Sequence, residues 1–464
     1  MSRLDDRRRA RAGGNGQEHA SGIYLGGGRL GPVVGRPEQC CLVLGPPRSG
    51  KTSAVVVPNV LGSPRGVLVA STKPDVLAAT ARARAERGRC AVFDPSGRTR
   101  PTDGVELVGW SPLRAAADWE GAVLVAEAIV GASRPAVRTA ESAHWAERAG
   151  ALLAPLLHAA ALDGTPLGGL VAEVHRRQPD RALEVLATGG ADLALDVLEG
   201  VVATDAREQS GIWSTAAGAL AAYRLPGALS AAEQPELPPE ELVDGAATLY
   251  VVAPSDYQQL AAPLVAGLVR DLRSTAYRRA ADGHRGGTLL VLDELANIAP
   301  LHDLPALVAE GASQGLLTLA CLQDLSQAEA RWGPMAGGFL SLFGSKLVLG
   351  GIGDRRTLEA VSLLAGHVDR PVVTRPVGLA ALSGRAAPTR SVRREPRLAP
   401  DQIAAPPPGT ATLVDGGAVR RVELTPYYLH APWRELAGGI PPAGRDRSRG
   451  ISGRGRGSWR DLGR

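Results

Sequence analysis

Cysteine is scarce in this sequence of 464 residues. The four cysteines, Cys40, Cys41, Cys90 and Cys321, lack the spacing of metal ligands, and three of them lie within apolar runs. This placement predicts small buried hydrophobic side chains rather than a zinc site. It is also typical of a protein from a reducing compartment.

Lysine is scarcer still and occurs only at Lys51, Lys73 and Lys346, although lysine and arginine together number 52. Arginine is a planar fork, whereas lysine is a compact point charge, so phosphate-binding and catalytic positions can distinguish them. The three lysines are therefore candidates for positions where arginine does not serve. Chance retention is the alternative for Lys73 and Lys346.

Long apolar runs are missing as well. The longest nearly apolar stretch, residues 151–162, is interrupted by Pro155 and His158. A membrane-spanning helix needs about 20 apolar residues, so we expect no transmembrane segment. The basic start, Met1 to Arg9, has no apolar core behind it and is not a secretory signal. We expect a cytoplasmic protein that contacts a membrane only through partners, with possible recruitment to the inner face of the cell membrane.

The stretch from Gly45 to Thr52 has the pattern G-x-x-x-x-G-K-[ST] of a phosphate-binding P-loop. It follows an apolar run, 41–44, that is long enough for one buried strand, and residues 53–57 after it can open a helix. Backbone N–H groups of such a loop converge on phosphate oxygens. Lys51 would reach the terminal phosphates and the Thr52 hydroxyl would bind Mg²⁺. The expected nucleotide contacts are Gly45, Pro46, Pro47, Arg48, Ser49, Gly50, Lys51, Thr52 and Ser53.

Two acids end a later apolar run, 288–292, in the pattern of a Walker B strand. Burying two acids inside a strand is costly, but at its carboxyl end they can face a metal ion and a water molecule. Asp293 would belong to the Mg²⁺ shell and Glu294 would polarise the attacking water. Gln323 ends the next apolar run and could sense the terminal phosphate or orient the water. The predicted catalytic residues are Lys51, Glu294 and Gln323, and the predicted metal ligands are Thr52 and Asp293.

Near-continuous apolar runs that alternate with helical patterns predict an α/β fold with a mostly parallel sheet covered on both faces. The strand signal vanishes over the Ala- and Leu-rich residues in the middle of the chain, which predicts an inserted all-α domain. The expected divisions are a basic, largely disordered arm, the first part of a nucleotide-binding domain, the all-α insertion, the second part of the nucleotide-binding domain with a C-terminal hairpin, and an Arg/Gly-rich tail. Their bounds are 1–37, 38–112, 113–240, 241–430 and 431–464. Within the arm we expect disorder in the first 20 residues and then a short extended piece near residues 23–25. We interpret residues 370–397 as an irregular loop.

Taken together, these motifs resemble the type IV coupling proteins, the TraG/TraD family of conjugative ATPases. The resemblance covers about residues 38–430. It depends on the P-loop followed by Pro58-Asn59, and on four later pieces of sequence: 93–95 (Phe-Asp-Pro), 110–113 (Trp-Ser-Pro-Leu), 292–297 (Leu-Asp-Glu-Leu-Ala-Asn) and 322–324 (Leu-Gln-Asp). Phe343, Lys346 and Asp354 add to it.

The resemblance implies a RecA-like P-loop NTPase fold with an inserted all-α domain, and ATP with Mg²⁺ as ligands. It implies a homo-oligomer, in the form of a hexameric ring, that acts as a DNA-translocating ATPase. The implied partners are single-stranded DNA with its relaxase and the components of a type IV secretion or conjugation channel. Two alternatives remain: a soluble double-strand DNA translocase of the same ATPase class, and a nucleotide-gated, weakly hydrolysing adaptor.

Two departures from the family pattern bear on these alternatives. Family members usually carry N-terminal membrane helices. They also tend to have an arginine that reaches a neighbouring subunit's nucleotide, where this chain has Ala312 after Gly311. Arg355 and Arg356 are candidates to replace it, Arg331 is a weaker one, and pairing of Arg355 and Arg356 with surface acids is the alternative. The arginines of residues 7–11 and 445–464 predict arms that bind nucleic-acid phosphates, with a solubilising tail as the alternative.

Overall fold

The structure is a computed structural model that describes residues 22–100, 102–133, 140–374 and 389–439. The strands are β1 (Tyr24–Gly28), β2 (Gly31–Val34), β3 (Cys41–Leu44), β4 (Gly66–Ser71), β5 (Cys90–Phe93), β6 (Glu106–Leu107), β7 (Thr248–Val252), β8 (Thr288–Leu292), β9 (Leu316–Leu322), β10 (Ser345–Leu349), β11 (His367–Thr374), β12 (Thr389–Pro396), β13 (Thr410–Asp415) and β14 (Ala418–Glu423).

Twelve of these strands form one sheet in the order β2-β1-β14-β13-β10-β3-β9-β8-β4-β7-β5-β6. From β10 to β6 every neighbouring pair is parallel, whereas β13, β14, β1 and β2 continue the sheet as antiparallel strands. Every residue of β3, β4, β8 and β9 is buried, because both faces of a parallel sheet are covered by helices. The predicted α/β fold with a mostly parallel sheet is confirmed.

The α-helices begin directly after the P-loop, where a π-helical turn, Thr52–Val56, runs into the first of them. They are α1 (Val57–Gly62), α2 (Asp75–Ala85), α3 (Pro112–Ala115), α4 (Trp119–Ala132), α5 (Ala140–Asp163), α6 (Leu167–Arg176), α7 (Asp180–Gly189), α8 (Asp192–Val202), α9 (Ala206–Ala219), α10 (Pro226–Ala232), α11 (Pro239–Val243), α12 (Gln258–Ala281), α13 (Leu295–Ile298), α14 (Leu304–Glu310), α15 (Leu325–Trp332), α16 (Phe339–Leu342), α17 (Arg355–Ala365), α18 (Pro400–Ala404) and α19 (Trp433–Leu436). Single 3-10 turns lie at Ala221–Arg224, Gly311–Gln314, Gly333–Gly338 and Tyr427–Leu429.

A helical block from α3 to α11 lies between β6 and β7 in the chain. Its described residues form helices and contribute no strand to either sheet. Arg114, where this helical block begins, ties it to the rest of the molecule. Its Nε lies 2.9 Å from Glu236, near the end of the block, and its Nη2 lies 2.6 Å from Asp271 of α12. Burial raises the pKa of the Asp271 carboxyl, and the Arg114 charge opposes that rise. A nearly buried carboxylate of this kind needs such a partner.

The structure differs from one sequence expectation and adds to two others. The extended piece expected near residues 23–25 is confirmed as part of β1, which together with β2 extends the main sheet through β14. The segment interpreted as an irregular loop is instead an antiparallel ribbon of β11 and β12. The expected tail begins with α19, where the Trp433 ring packs edge-on against Tyr24, with ring centroids 5.3 Å apart. The partners of β1 and of Trp433 are distant in sequence, so local composition did not indicate these contacts.

All four cysteines are free and buried, as predicted. The C-terminal hairpin is also confirmed, since β13 and β14 pair across Gly416 and Gly417, which both have positive φ. No helix within the described ranges combines the length and the hydropathy that a bilayer span requires. The basic arms at residues 7–11 and 445–464 lie outside the described residues.

Candidate nucleotide-binding site

Four neighbouring parallel strands, β3, β9, β8 and β4, end at the same edge of the sheet. The P-loop follows β3, Gln323 follows β9, Asp293 and Glu294 follow β8, and Ser71 ends β4. The carboxyl ends of parallel strands form the usual ligand-binding edge of such a sheet. The sheet order therefore brings together residues that are up to 278 positions apart in the sequence.

The P-loop has the backbone shape of an anion-binding turn. Gly50 has φ +100° and Arg48 has φ +64°, so the loop enters the left-handed region twice. A non-glycine residue in that region is uncommon and clusters at functional sites. At Gly45 a Cβ atom would lie 2.7 Å from the Ser49 hydroxyl and 3.0 Å from Leu349, so only glycine fits there. The Ser49 Oγ atom is buried and has no hydrogen-bond partner, which fits a loop shaped for a ligand.

Lys51 lies at the centre of this loop and is only 8% exposed. Its ammonium group donates hydrogen bonds to the carbonyl oxygens of Gly45 and of Pro46, the latter at 3.1 Å. The amine is thus held inside the loop by weak neutral acceptors. Phosphate oxygens would be stronger, charged acceptors for the same donor.

Three oxygen-bearing side chains meet at the predicted metal position. The Thr52 hydroxyl lies 3.1 and 3.2 Å from the two carboxylate oxygens of Asp293, and the Ser71 hydroxyl lies 3.2 Å from one of them. Burial raises the pKa of Asp293 above its ordinary value, and the hydrogen bonds from Thr52 and Ser71 oppose that rise. Oxygen ligands of this kind suit Mg²⁺, which Thr52 and Asp293 would hold and which would neutralise phosphate charge. Sequence reasoning did not name Ser71, although its position at a strand end was the available signal.

Glu294 lies beside this cluster and accepts hydrogen bonds from three side-chain amides. The donors are Asn297 at 3.2 Å, Gln323 at 3.4 Å and Gln327 at 3.2 Å, and all three bonds go to Oε1. Gln327 also accepts the backbone N–H of Gln323 at 2.9 Å, so its amide bridges the end of β9 and the carboxylate. This arrangement fixes a carboxylate oxygen where a general base has to face a water molecule.

Gln327 was not predicted as a site residue. Its side chain reaches Glu294 because α15 begins at the end of β9, with Asp324 as the N-cap that accepts the Gln327 backbone N–H. A glutamine four residues after Gln323 was the only signal in the sequence. The signal is weak without the turn that brings the two amides together.

The P-loop, the Asp293–Glu294 pair and Gln323 line one cleft with a volume of about 670 Å³. The predicted nucleotide contacts from Pro47 to Ser53 line it together with Asp293, Glu294 and Gln323, whereas Gly45 and Pro46 form the base of the loop behind Lys51. Lys73, one of the two other lysines, lies in the same cleft, as do Tyr427 and Tyr428. The third lysine, Lys346, is buried elsewhere and donates to the Phe343 carbonyl oxygen at 2.9 Å.

The arginines considered for a role at a neighbouring subunit are engaged within this chain. Arg355 lies 2.6 Å from Glu359 and Arg356 lies 2.5 Å from Glu329, which is the surface pairing that was the alternative for both. Arg331 donates to the Ala132 carbonyl oxygen at 3.3 Å, and burial lowers its pKa. Ala312 lies just before β9, at the opposite end of that strand from Gln323. None of the four residues lines the nucleotide cleft.

The family model for type IV secretory system conjugative DNA transfer matches residues 7–375 of the sequence. The chain belongs to this family. The predicted family resemblance is thereby confirmed. The matched range contains the P-loop, the Asp293–Glu294 pair and Gln323.

Individual relatives agree with this assignment. The conjugal transfer protein TraG of Escherichia coli is 28% identical over 346 residues, which are 67% of this chain and 53% of TraG. The chain thus spans about half the length of that relative.

Solved structures of the bacterial conjugative coupling protein TrwB share the fold. The unbound form has a TM-score of 0.68 at 20% identity and covers 88% of this chain and 89% of its own. TrwB in complex with a non-hydrolysable ATP analogue gives a TM-score of 0.65 at 21% identity, with the same coverage of both chains. TrwB has also been solved in complex with ADP and Mg²⁺, at a TM-score of 0.63 and 21% identity. The predicted RecA-like P-loop NTPase fold is confirmed.

Proposed function

We propose that this chain is a Mg²⁺-dependent P-loop ATPase that acts as motor and substrate receptor in conjugative DNA transfer. In this role it couples a relaxase–DNA complex to a type IV secretion channel. Membership of the conjugative DNA transfer family supports the pathway. The likeness to TrwB, which has been solved with an ATP analogue and with ADP and Mg²⁺, supports the ligands.

The observation that carries the proposal is the convergence of three functions in one cleft. Lys51 would hold the terminal phosphates, Thr52 and Asp293 would hold Mg²⁺, and Glu294 would act on the attacking water with Gln323 beside it. A protein that only binds a nucleotide has no need of a carboxylate held by three amides next to the metal position. This favours hydrolysis over a nucleotide-gated adaptor.

The proposed working form is a homo-oligomeric ring, a hexamer, on single-stranded DNA delivered with its relaxase. The proposed location is the cytoplasm, with recruitment to the inner face of the cell membrane through channel components. In a ring with heterologous interfaces each subunit can complete its neighbour's site. Turnover per subunit should therefore rise as the protein concentration passes through assembly.

Steady-state ATP hydrolysis with and without single-stranded DNA, over a range of protein concentrations, tests this proposal. We expect turnover that requires Mg²⁺ and increases with DNA and with assembly. ATP binding without turnover under all conditions would favour the adaptor. Stimulation by duplex DNA alone would favour a double-strand translocase.

A further inference from the structure

The ribbon of β11 and β12 is an unusually exposed element. Its strands pair in register from His367 opposite Pro396 to Thr374 opposite Thr389. All eight residues of β11 are exposed, and within the described residues neither strand pairs with the main sheet. Eight residues of strand extend over about 27 Å. A two-stranded ribbon is marginally stable in water without a covering surface, so this one has the character of an arm that meets a partner.

The charges of the ribbon indicate which partner it meets. Its four arginines and two acids leave an excess of two positive charges. Arg370 lies directly opposite Arg393, a like-charge pair that is unfavourable across two strands. Among the described residues Glu395 alone compensates this pair, with oxygens 3.6 Å from Arg370 and 3.7 Å from Arg393. One carboxylate shared by two guanidinium groups leaves positive charge available for an anionic ligand.

A basic cleft lies at the base of the ribbon. It has a volume of about 440 Å³ and is lined by Arg397, directly after β12, and by Arg420 and Arg421 of β14. Gln402 and Thr412 add neutral polar groups, and no carboxylate is among the described residues that line it. The three arginines form no ion pair with any described residue. The Arg397 backbone N–H bonds to the Gly366 carbonyl oxygen at 2.8 Å, which fixes the cleft to the foot of the ribbon.

Three arginine residues line one cleft, with no acid among the described residues that line it, and a guanidinium group can bind phosphate oxygens bidentately. A single phosphate would need only the cleft. The positive charge that continues along the ribbon fits a polyanion that carries phosphates at regular spacing. A two-stranded ribbon also has dimensions that fit the major groove of a duplex.

We propose that the β11–β12 ribbon and the cleft of Arg397, Arg420 and Arg421 form a nucleic-acid-binding arm that contacts the phosphodiester backbone. This inference rests on the proposed function, because it names where the DNA substrate is held. The arm shares no lining residue with the nucleotide cleft. It can therefore be altered without removing the ATP machinery.

The test compares the variant Arg397→Ala/Arg420→Ala/Arg421→Ala with a control of equal charge change, Arg176→Ala/Arg207→Ala/Arg224→Ala. The control arginines are exposed and lie in the helical block. The affinity of the full chain for a fluorescent 30-nucleotide single strand, and for the matching duplex, is measured by anisotropy at several salt concentrations. Each lost phosphate contact lowers the log–log salt slope by about 0.7 on a single strand and about 0.9 on a duplex.

On single strands we expect the log–log salt slope of the cleft variant to be smaller by about 2 than that of the wild type, because three phosphate contacts are lost. The control should keep the wild-type slope, and both variants should keep DNA-independent ATP turnover. A variant with lysine at the same three cleft positions should recover most of the slope. Equal log–log salt slopes for the cleft variant and the control would refute the proposed nucleic-acid-binding arm. A change of oligomeric state with an unchanged slope would overturn it in favour of a subunit interface.

If the alanine variant does not fold, the triple-lysine variant is compared with the single variant Arg421→Glu. Equal log–log salt slopes for these two variants would show that the cleft arginines do not contribute to DNA binding. Failure of the wild type itself to bind either form of DNA would instead refute the proposed function. The relative loss on single strands and on duplex identifies which form the arm binds.

Discussion

Replacing Gln327 with leucine should slow ATP hydrolysis without weakening ATP binding. The Gln327 amide does not line the nucleotide cleft, but it donates to Glu294 at 3.2 Å and accepts from the Gln323 backbone at 2.9 Å. It is thus a positioning residue that orients the carboxylate and holds the end of β9. Leucine has a similar volume and keeps good helix propensity, so α15 should stay intact.

The size of the effect follows from the hydrogen bonds that are lost. A hydrogen bond to a charged group contributes about 1.5–3 kcal/mol. Glu294 is half-buried and keeps bonds from Asn297 and Gln323, so the lower end applies. About 1.5 kcal/mol of lost transition-state stabilisation corresponds to roughly a tenfold lower kcat.

Steady-state kinetics with Mg²⁺ and ATP, with and without DNA, measure this effect. The control is Gln259→Leu, an exposed glutamine of α12 outside the cleft. We expect kcat to fall about tenfold with KM unchanged in the Gln327 variant and neither to change in the control. In a Glu294→Gln background the Gln327 change should add nothing, because the two groups act as one unit. A full additional loss in that background, or a change confined to KM, would refute the positioning role.

Lys51→Ala should abolish ATP binding and turnover, whereas Glu294→Gln should retain bound ATP without hydrolysing it; filter binding and phosphate release distinguish the two, and unreduced turnover in both would refute the site. Burial raises the pKa of Asp293, so its ionised form costs folding free energy at neutral pH, and this cost is relieved as the pH falls below the folded-state pKa. Asp293→Asn should therefore melt at a higher temperature than the wild type in EDTA, yet lose all stabilisation by Mg²⁺ and ATP. A lower melting temperature in EDTA would contradict this. Arg84 is fully buried and donates to Thr248 and to the carbonyl oxygens of Ser63, Arg65 and Ala246. Arg84→Leu should therefore lower the free energy of unfolding in urea by about 3 kcal/mol or more, while Arg82→Leu on the exposed face of α2 should be nearly neutral. Equal costs would show that those carbonyl groups find other donors.

The sequence was sufficient for the parts of the fold that local patterns determine. The buried strands β3, β4, β8 and β9 are nearly continuous apolar runs, and the P-loop and the Asp293–Glu294 pair are contiguous motifs whose chemistry depends on few residues. Alternation of such strands with helices leaves a parallel sheet as the arrangement that covers both faces.

What the sequence could not predict depends on contacts between distant segments. β1 is rich in glycine, and it joins the sheet through pairing with the distant strand β14, where Gly27 lies opposite Glu423. β11 and β12 carry arginine and proline, which do not favour a strand prediction. Their antiparallel pairing is seen only in the structure. Ser71 and Gln327 enter the site through sheet order and a helix turn, and neither belongs to a motif that identifies it alone.

We propose that ATP hydrolysis in this cleft moves the protein along DNA. Displacement of streptavidin from the end of a biotinylated single strand, followed in a gel, measures that movement directly. We expect displacement with Mg²⁺ and ATP, none with a non-hydrolysable ATP analogue, and none by the Glu294→Gln variant even when its ATP sites are filled. Equal displacement with the analogue, or steady ATP turnover on DNA without any displacement, would contradict it.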